Sequence, residues 1–162
     1  LIAQRRFFND EITLRATLAG GAVSFSGVGS RATDRWLFDE DIMRGFAADG
    51  IGPRDYNAGS NMNDALGGNY FATAKFEALF PLGLPEEYGL TGGVFYDIGN
   101  VWGLDQTNAN TLYESGSFRH VAGVSIFWET PIGPMRLNWS KALEKEVQDI
   151  DQNFEFTIST EF

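Results

Sequence analysis

The final nine residues, Phe154-Glu155-Phe156-Thr157-Ile158-Ser159-Thr160-Glu161-Phe162, alternate between two kinds of side chain. In an extended strand, successive side chains point to opposite faces, so alternate residues share a face. The large apolar side chains therefore lie together, on the face of Phe154, Phe156, Ile158 and Phe162. An aromatic last residue is typical of a lipid boundary, where aromatic side chains form girdles. The stretch favours a β-strand between lipid and a polar interior.

The same alternation recurs through most of the chain. In one upstream stretch Val124 and Ile126 alternate with Gly123 and Ser125. The pattern predicts about six strands, at roughly 11–18, 70–80, 88–102, 118–128, 135–139 and 154–162. Most of them approach the ~9–11 residues that a tilted transmembrane strand requires. We therefore predict an all-β fold, an antiparallel transmembrane β-barrel.

The predicted connections alternate between short and long. In order they are 9–10, 27–67, 81–87, 103–117, 131–134 and 144–153. Bacterial outer-membrane barrels have short periplasmic turns and longer extracellular loops. In that scheme the C-terminus lies on the periplasmic side of the outer membrane.

Composition excludes several other classes of protein. The 162 residues carry a net charge of −10 and include no Cys. An acidic chain is unsuited to neutralising phosphates, so we expect no nucleic-acid partner. Without Cys there is no disulfide framework and no Cys-based metal or redox site. A mean hydropathy of −0.19 is compatible with membrane strands, which are apolar on one face only.

Closure of a barrel requires more strands than this chain supplies. Known bacterial membrane barrels begin at about 8 strands, and an open edge in lipid leaves backbone groups unsatisfied. The opening Leu1-Ile2-Ala3-Gln4-Arg5-Arg6 also has no apolar signal-peptide core. We therefore interpret the chain as the C-terminal portion of one barrel domain whose earlier strands and periplasmic repeats are absent from it.

No motif indicates an enzyme. The single histidine, His120, falls near the end of a strand on its lipid-side register, where a catalytic set is not available. Gly27-Val28-Gly29 is too short for a phosphate-binding loop and lacks the following Lys. The spacing in 105–114 does not match an EF-hand calcium loop. We expect no enzymatic activity, no metal and no cofactor.

The long connection at about 27–67 contains Met43-Arg44-Gly45-Phe46 and is longer than most loops without a function. Glu77 and Asp97 fall on the polar register of neighbouring strands, where two carboxylates repel unless a cation lies between them. A loop folded into the lumen would bring Arg44 to both. Alternatively, Glu77 pairs with Lys75 or Arg119, Asp97 faces water, and Arg44 is solvated.

Several segments resemble the BamA family of outer-membrane β-barrel assembly proteins. The family's Val-Arg-Gly-Phe loop motif is similar to 43–46, where Met43 replaces the usual Val. Further similar segments follow in the family's order: Gly67-Gly68-Asn69, Phe95-Tyr96-Asp97-Ile98-Gly99-Asn100-Val101-Trp102, and Trp128-Glu129-Thr130-Pro131-Ile132-Gly133-Pro134. The 154–162 strand is similar to the family's C-terminal signal strand. The matches run from about Arg35 onward.

The resemblance implies a sixteen-stranded barrel, of which this chain supplies roughly the last six strands. It also implies that Arg44 docks in the lumen against Glu77 and Asp97. The family's role is to fold and insert barrel proteins into the bacterial outer membrane without ATP, and a weak seam between the last and first strands is a physical route. The implied partners are unfolded outer-membrane protein clients, accessory assembly lipoproteins, outer-membrane lipid and lipopolysaccharide.

Three other interpretations stay open on the sequence. A translocation-and-assembly barrel or a two-partner secretion transporter would share the loop motif and the terminal strand. A passive porin would share the strand pattern but would not need a buried Arg-Gly-Phe loop. A soluble β-sandwich binding module would pack the apolar faces against each other.

Overall fold

The computed structural model describes residues 1–7, 11–24, 26, 29–39, 42–131 and 133–158. These residues form ten strands: β1 Ile2–Phe7, β2 Ile12–Ala22, β3 Arg54–Asn57, β4 Met62–Ala65, β5 Tyr70–Pro81, β6 Leu90–Trp102, β7 Thr111–Leu112, β8 Arg119–Thr130, β9 Gly133–Glu144 and β10 Phe154–Ile158. Ala32–Asp34 and Glu86–Tyr88 form short 3-10 helices. Within the described ranges, none of the helical segments has the length and hydropathy of a membrane span.

Seven strands form one antiparallel sheet in the order β1-β2-β5-β6-β8-β9-β10. This arrangement confirms the predicted all-β antiparallel architecture. It also adds β1, which the alternation did not predict because Gln4-Arg5-Arg6 interrupts the apolar register. β9 runs from Gly133 to Glu144, longer than the predicted 135–139.

Some predicted features fall outside the described residues. The terminal strand is described from Phe154 to Ile158, so Phe162 lies beyond it. The predicted turn at Asn9-Asp10 and Ile132 of the 131–134 turn also lie outside.

The outer face of the large sheet is an apolar wall that is open to its surroundings. Strand pairing aligns one residue from each of six neighbouring strands in a row across this face: Leu14, Ala78, Val94, Val124, Trp139 and Phe154. The five large side chains of the row are 42–50% exposed. The apolar side chains of this face are therefore not packed into a closed core as a soluble sandwich would require.

Aromatic side chains lie near both ends of this wall. Trp102 lies between Tyr70 and Phe118, with ring centroids 6.0 and 5.9 Å away. Toward the other end of the strands lie Phe80 and Trp128. Ten residues separate Tyr70 from Phe80, which is about 33 Å along a strand. At the usual tilt of ~40° this gives a band about 25 Å tall, the height of the apolar band of an outer-membrane barrel.

The hydrophobic core lies on the inner face, under the long loop, residues 23–69, which joins β2 to β5. Among the described residues, the core has eight buried apolar side chains, and five of them come from this loop: Phe38, Ile42, Met43, Phe46 and Ile51. The other three are contributed by the large sheet, Phe95, Val101 and Val121. The loop therefore packs as a folded unit against the strands, and the core holds it there.

A small three-stranded sheet, in the order β4-β3-β7, links the long loop to the next long connection. In it, Arg54 pairs with Ala65 on one side and with Leu112 on the other. This sheet was not predicted, because its strands are only two to four residues long and lie in polar sequence. It joins two loops at one end of the large sheet.

Candidate functional site: a buried arginine between two strand carboxylates

The long loop places the Arg44 side chain against β5 and β6. Its Nε donates to Asp97 Oδ2 at 2.7 Å and its Nη2 donates to Asp97 Oδ1 at 2.6 Å. The remaining terminal nitrogen, Nη1, donates to Glu77 Oε1 at 2.6 Å. Only 6% of Arg44 is exposed. The Arg44 guanidinium thus forms two hydrogen bonds to Asp97 and one to Glu77. A lysine side chain cannot reproduce this geometry.

The register of β5 and β6 explains why both carboxylates reach the same cation. Lys75 pairs with Asp97 and Glu77 pairs with Phe95, so the two acids are diagonal neighbours on the inner face. Diagonal positions on paired strands lie about 7–8 Å apart, a gap that one guanidinium can bridge. The Phe95 ring completes the site, with its centroid 3.7 Å from the guanidinium carbon of Arg44.

Glu77 is shared among several cations. Arg136 Nη2 donates to the same Glu77 oxygen as Arg44, and Arg15 Nη1 lies 3.6 Å from the other oxygen. The alternative pairing of Glu77 with Arg119 is absent from the structure, where Arg119 binds Asp149 instead. Asp97 does not face water, because its side chain has no exposed surface.

Electrostatics keep the buried guanidinium charged. Burial removes water from Arg44 and so lowers its pKa, but the hydrogen bonds and negative charges of Asp97 and Glu77 outweigh that effect and raise the pKa overall. The loop therefore brings a permanent positive charge to a site where Asp97 would otherwise be buried without its ion-pair partner.

Arg44, Gly45 and Phe46 form the loop tip, and the last two of these residues pack closely against their neighbours. Gly45 has φ +88, and a Cβ there would lie 2.6 Å from Val121 Cγ1 of β8. A side chain at this position is thus excluded both by backbone conformation and by space. Phe46 is 1% exposed and packs edge-to-face on Phe38 at 6.1 Å.

The apolar residues of the terminal strand face the opposite side of the sheet. Phe154, Phe156 and Ile158 of β10 all lie on the apolar outer face and are about half exposed. His120 also lies on that face, where its Nδ1 is 2.7 Å from the hydroxyl of Tyr96. Within the described ranges, no group of three or more His, Asp or Glu residues could hold a metal ion.

A second buried cluster was missed by the sequence reasoning. Arg119, at the start of β8, donates from Nε and Nη2 to both oxygens of Asp149, at 2.7 and 2.9 Å. Its Nη1 donates to Asn100 Oδ1 at 2.6 Å. Both side chains of the ion pair are fully buried. Arg119 was on the polar register, but no pattern in the connection before β10 distinguishes Asp149 from its acidic neighbours.

Comparison with known proteins assigns the chain to a family. Residues 5–162 match the model of the Omp85 superfamily domain. The chain belongs to the Omp85 superfamily. It is 35% identical, over 89% of its length, to the outer membrane protein assembly factor BamA of Neorickettsia risticii, and 26% identical, over 90% of its length, to the BamA of Neisseria meningitidis serogroup B. This Omp85 chain spans about a fifth of each of those relatives.

The Omp85 chain also shares its fold with a solved structure. It aligns over 98% of its length with the crystal structure of BamA from Haemophilus ducreyi lacking POTRA domains 1–3, with a TM-score of 0.71 and 22% identity. It covers 33% of that chain. The resemblance to the BamA family and the predicted membrane-barrel fold are thereby confirmed.

Proposed function

We propose that this chain is part of an outer-membrane barrel that folds and inserts other β-barrel proteins into the bacterial outer membrane without ATP. The observation that carries the proposal is the buried Arg44, held between Glu77 and Asp97 at 2.6–2.7 Å. Both curated relatives are named as outer membrane protein assembly factors, which supports this activity over a secretion transporter or a passive porin.

In this proposal the long loop braces the barrel from inside. Its apolar core residues and its buried arginine bind the inner face of β5, β6 and β8, which lie in the middle of the sheet. A brace of this kind keeps the wall intact while an edge strand exchanges partners. An open pore with a solvated loop would gain nothing from burying an arginine, because burial of a charge costs free energy that pairing must offset.

The route for clients would be the edge strand. β10 forms five register pairs with β9 over Phe154–Ile158. We propose that the terminal strand pairs weakly with the first strand of the barrel, so that a client strand could add to the exposed edge by β-augmentation. A short terminal strand would also thin the adjacent bilayer and lower the barrier to insertion. Formation of the client's own backbone hydrogen bonds in lipid would supply the free energy for insertion in place of ATP.

The difference between the two ends of the sheet supports one orientation of the barrel in the membrane. Short connections join β5 to β6 and β8 to β9 at one end, whereas the longer loops after β2, β6 and β9 lie at the other. We place the long loops outside the cell and the C-terminus on the periplasmic side. Unfolded clients and accessory lipoproteins would then meet the barrel from the periplasm, and lipid and lipopolysaccharide would contact the apolar outer face.

The test is substitution of Arg44 in the full-length protein that carries this chain. Arg44→Ala leaves Asp97 buried without its ion-pair partner. Glu77 keeps two other cations, so we expect a loss of about 3 kcal/mol, the lower end of the range for a broken buried ion pair. We expect it to reduce client assembly into liposomes and to change the heat-modifiability of the barrel on gels. Arg44→Lys should be intermediate, because a point charge cannot form the forked hydrogen bonds.

Arg31→Ala is the matched control, since Arg31 belongs to the same loop and is exposed. It should leave both measurements unchanged. If Arg44→Ala assembles clients at the normal rate and keeps normal heat-modifiability, the proposed brace is wrong.

A further inference from the structure

The loop tip binds two distant parts of the sheet through adjacent residues. Arg44 contacts β5 and β6, as described above. The backbone N–H of Gly45 turns the other way and donates to Glu155 Oε1 on β10 at 2.7 Å. In the sheet, β8 and β9 lie between those two regions. The Arg44–Gly45 unit therefore spans from the middle of the sheet to β10.

Glu155 is built into this contact. It is 3% exposed, on the inner face of β10, and its second oxygen accepts from Asn138 Nδ2 of β9 at 3.3 Å. Asn138 in turn accepts from Ser125 Oγ of β8 at 2.6 Å. The carboxylate thus meets the loop on one side and the neighbouring strands on the other, so its position is determined by both.

The chain that leads into β10 is held by the same loop. Gln152 N donates to Gly45 O at 3.0 Å, and Ala47 N donates to Ile150 O at 2.9 Å. Phe46 and Asp151 form an antiparallel bridge between these two bonds. In the described part of the chain, the strand partner of β10 is β9, through five register pairs. The loop therefore supplies an attachment for β10 in addition to its pairing with β9.

From these contacts we infer that Glu155 clasps the edge strand to the loop tip, so that docking of the loop and retention of β10 are coupled. Glu155 acts as a positioning residue through the Gly45 amide. While the tip is docked, β10 is held on β9. When the tip leaves, the hydrogen bond between the Gly45 N–H and Glu155 is broken, and β10 is freed to exchange. The inference rests on the proposed function, because it supplies the control of the strand that would receive clients.

Amide hydrogen exchange of β10 in the full-length protein tests the coupling directly. Glu155→Ala should speed exchange at 154–158 by about tenfold or more, the factor that corresponds to loss of one charge-assisted hydrogen bond. Glu155→Gln retains an oxygen acceptor without the charge and should give a smaller increase. Thr157→Ala, at the next inward position of the same strand, is the matched control and should change exchange little.

Disulfide trapping supplies a second readout, because the chain has no Cys. A cysteine pair at positions 47 and 150 should cross-link efficiently in the parent and poorly with Glu155→Ala. Unchanged β10 exchange together with unchanged cross-linking in a folded Glu155→Ala protein would overturn the clasp. Neither measurement depends on client assembly, so failure of the clasp is distinguishable from failure of the proposed function, which the Arg44 variants test.

Discussion

Two of the three buried arginines in the described part of the chain bind buried carboxylates, and they do so with opposite connectivity. Arg44 lies in the long loop and reaches carboxylates on strands, whereas Arg119 lies on a strand and reaches Asp149 in the connection before β10. Each binds one carboxylate through two nitrogens. Both clusters therefore attach a loop to the sheet through an arginine–carboxylate ion pair. In the first cluster the loop supplies the arginine, and in the second it supplies the carboxylate.

The clusters differ in how replaceable the arginine is. Glu77 retains Arg136 and Arg15 nearby if Arg44 is removed. Among the described ion pairs, that of Asp149 is with Arg119 alone, and both side chains are fully buried. A shared cluster can lose and regain one member at lower cost than an isolated pair. The Arg44 cluster thus suits a contact that changes during function, and the Arg119 cluster suits a permanent one.

The largest effect should come from Arg119→Met. It leaves Asp149 buried without a cation, and we expect a loss of about 3–5 kcal/mol in the free energy of unfolding. Arg44→Ala should cost less at equilibrium, about 3 kcal/mol, because Arg136 stays close enough to both carboxylates of that cluster to offset part of their charge. Urea unfolding of the barrel in detergent micelles measures both. Arg31→Met, at an exposed arginine, is the control. Equal or reversed costs for Arg119 and Arg44 would contradict the distinction between the clusters.

A smaller effect is expected from Gly45→Ala. The residue has φ +88, and the added Cβ would lie 2.6 Å from Val121 Cγ1. The left-handed backbone and the overpacking each cost about 1 kcal/mol or more, so stability should fall by about 2 kcal/mol. Gly116→Ala is a matched control, since nothing lies within 4 Å of a Cβ there. Similar unfolding curves for the two variants would contradict the close packing of Gly45 against Val121.

The smallest effect concerns an exposed contact between the two long loops. Asp105 Oδ2 accepts from Ser30 N at 2.6 Å, and Oδ1 accepts from Asn69 Nδ2 at 2.9 Å. The hydrogen bond from the Ser30 backbone, followed by those from the Ser30 and Asn69 side chains, lowers the pKa of Asp105. A carboxylate with a lowered folded pKa stabilises the fold above its ordinary pKa of about 3.9, and that contribution is lost as the pH falls through the lowered value.

We therefore expect the Ser30 amide resonance to be constant near neutral pH and to shift only in acid, below about pH 4. An NMR titration in micelles measures it, and Asp105→Asn should abolish it. A midpoint above the ordinary value for aspartate would contradict the lowered pKa.

Much of the large sheet could be predicted, because the alternation that indicates a two-faced strand is a local property of the sequence. Alternation of residues such as Val124 and Ser125 determines which side of a strand is apolar, whatever the strand pairs with. The same register placed Glu77 and Asp97 on one face, and the Arg44-Gly45-Phe46 motif pointed to the loop. β1 escaped detection because two adjacent arginines interrupt its pattern, and strand pairing rather than composition makes it a strand.

The amino-acid pattern alone was enough to predict six strands of the large sheet, their apolar outer face and the polar register of the inner face, since each depends on neighbours one or two residues away. Only the tertiary structure decided the Arg119–Asp149 pair, the small sheet between two loops and the contact of Gly45 with Glu155. The last joins residues 110 positions apart. Such contacts depend on how the loops pack over the inner face. The chain has many acidic and basic residues that could form pairs in other combinations, so the residue types alone do not identify the pairs.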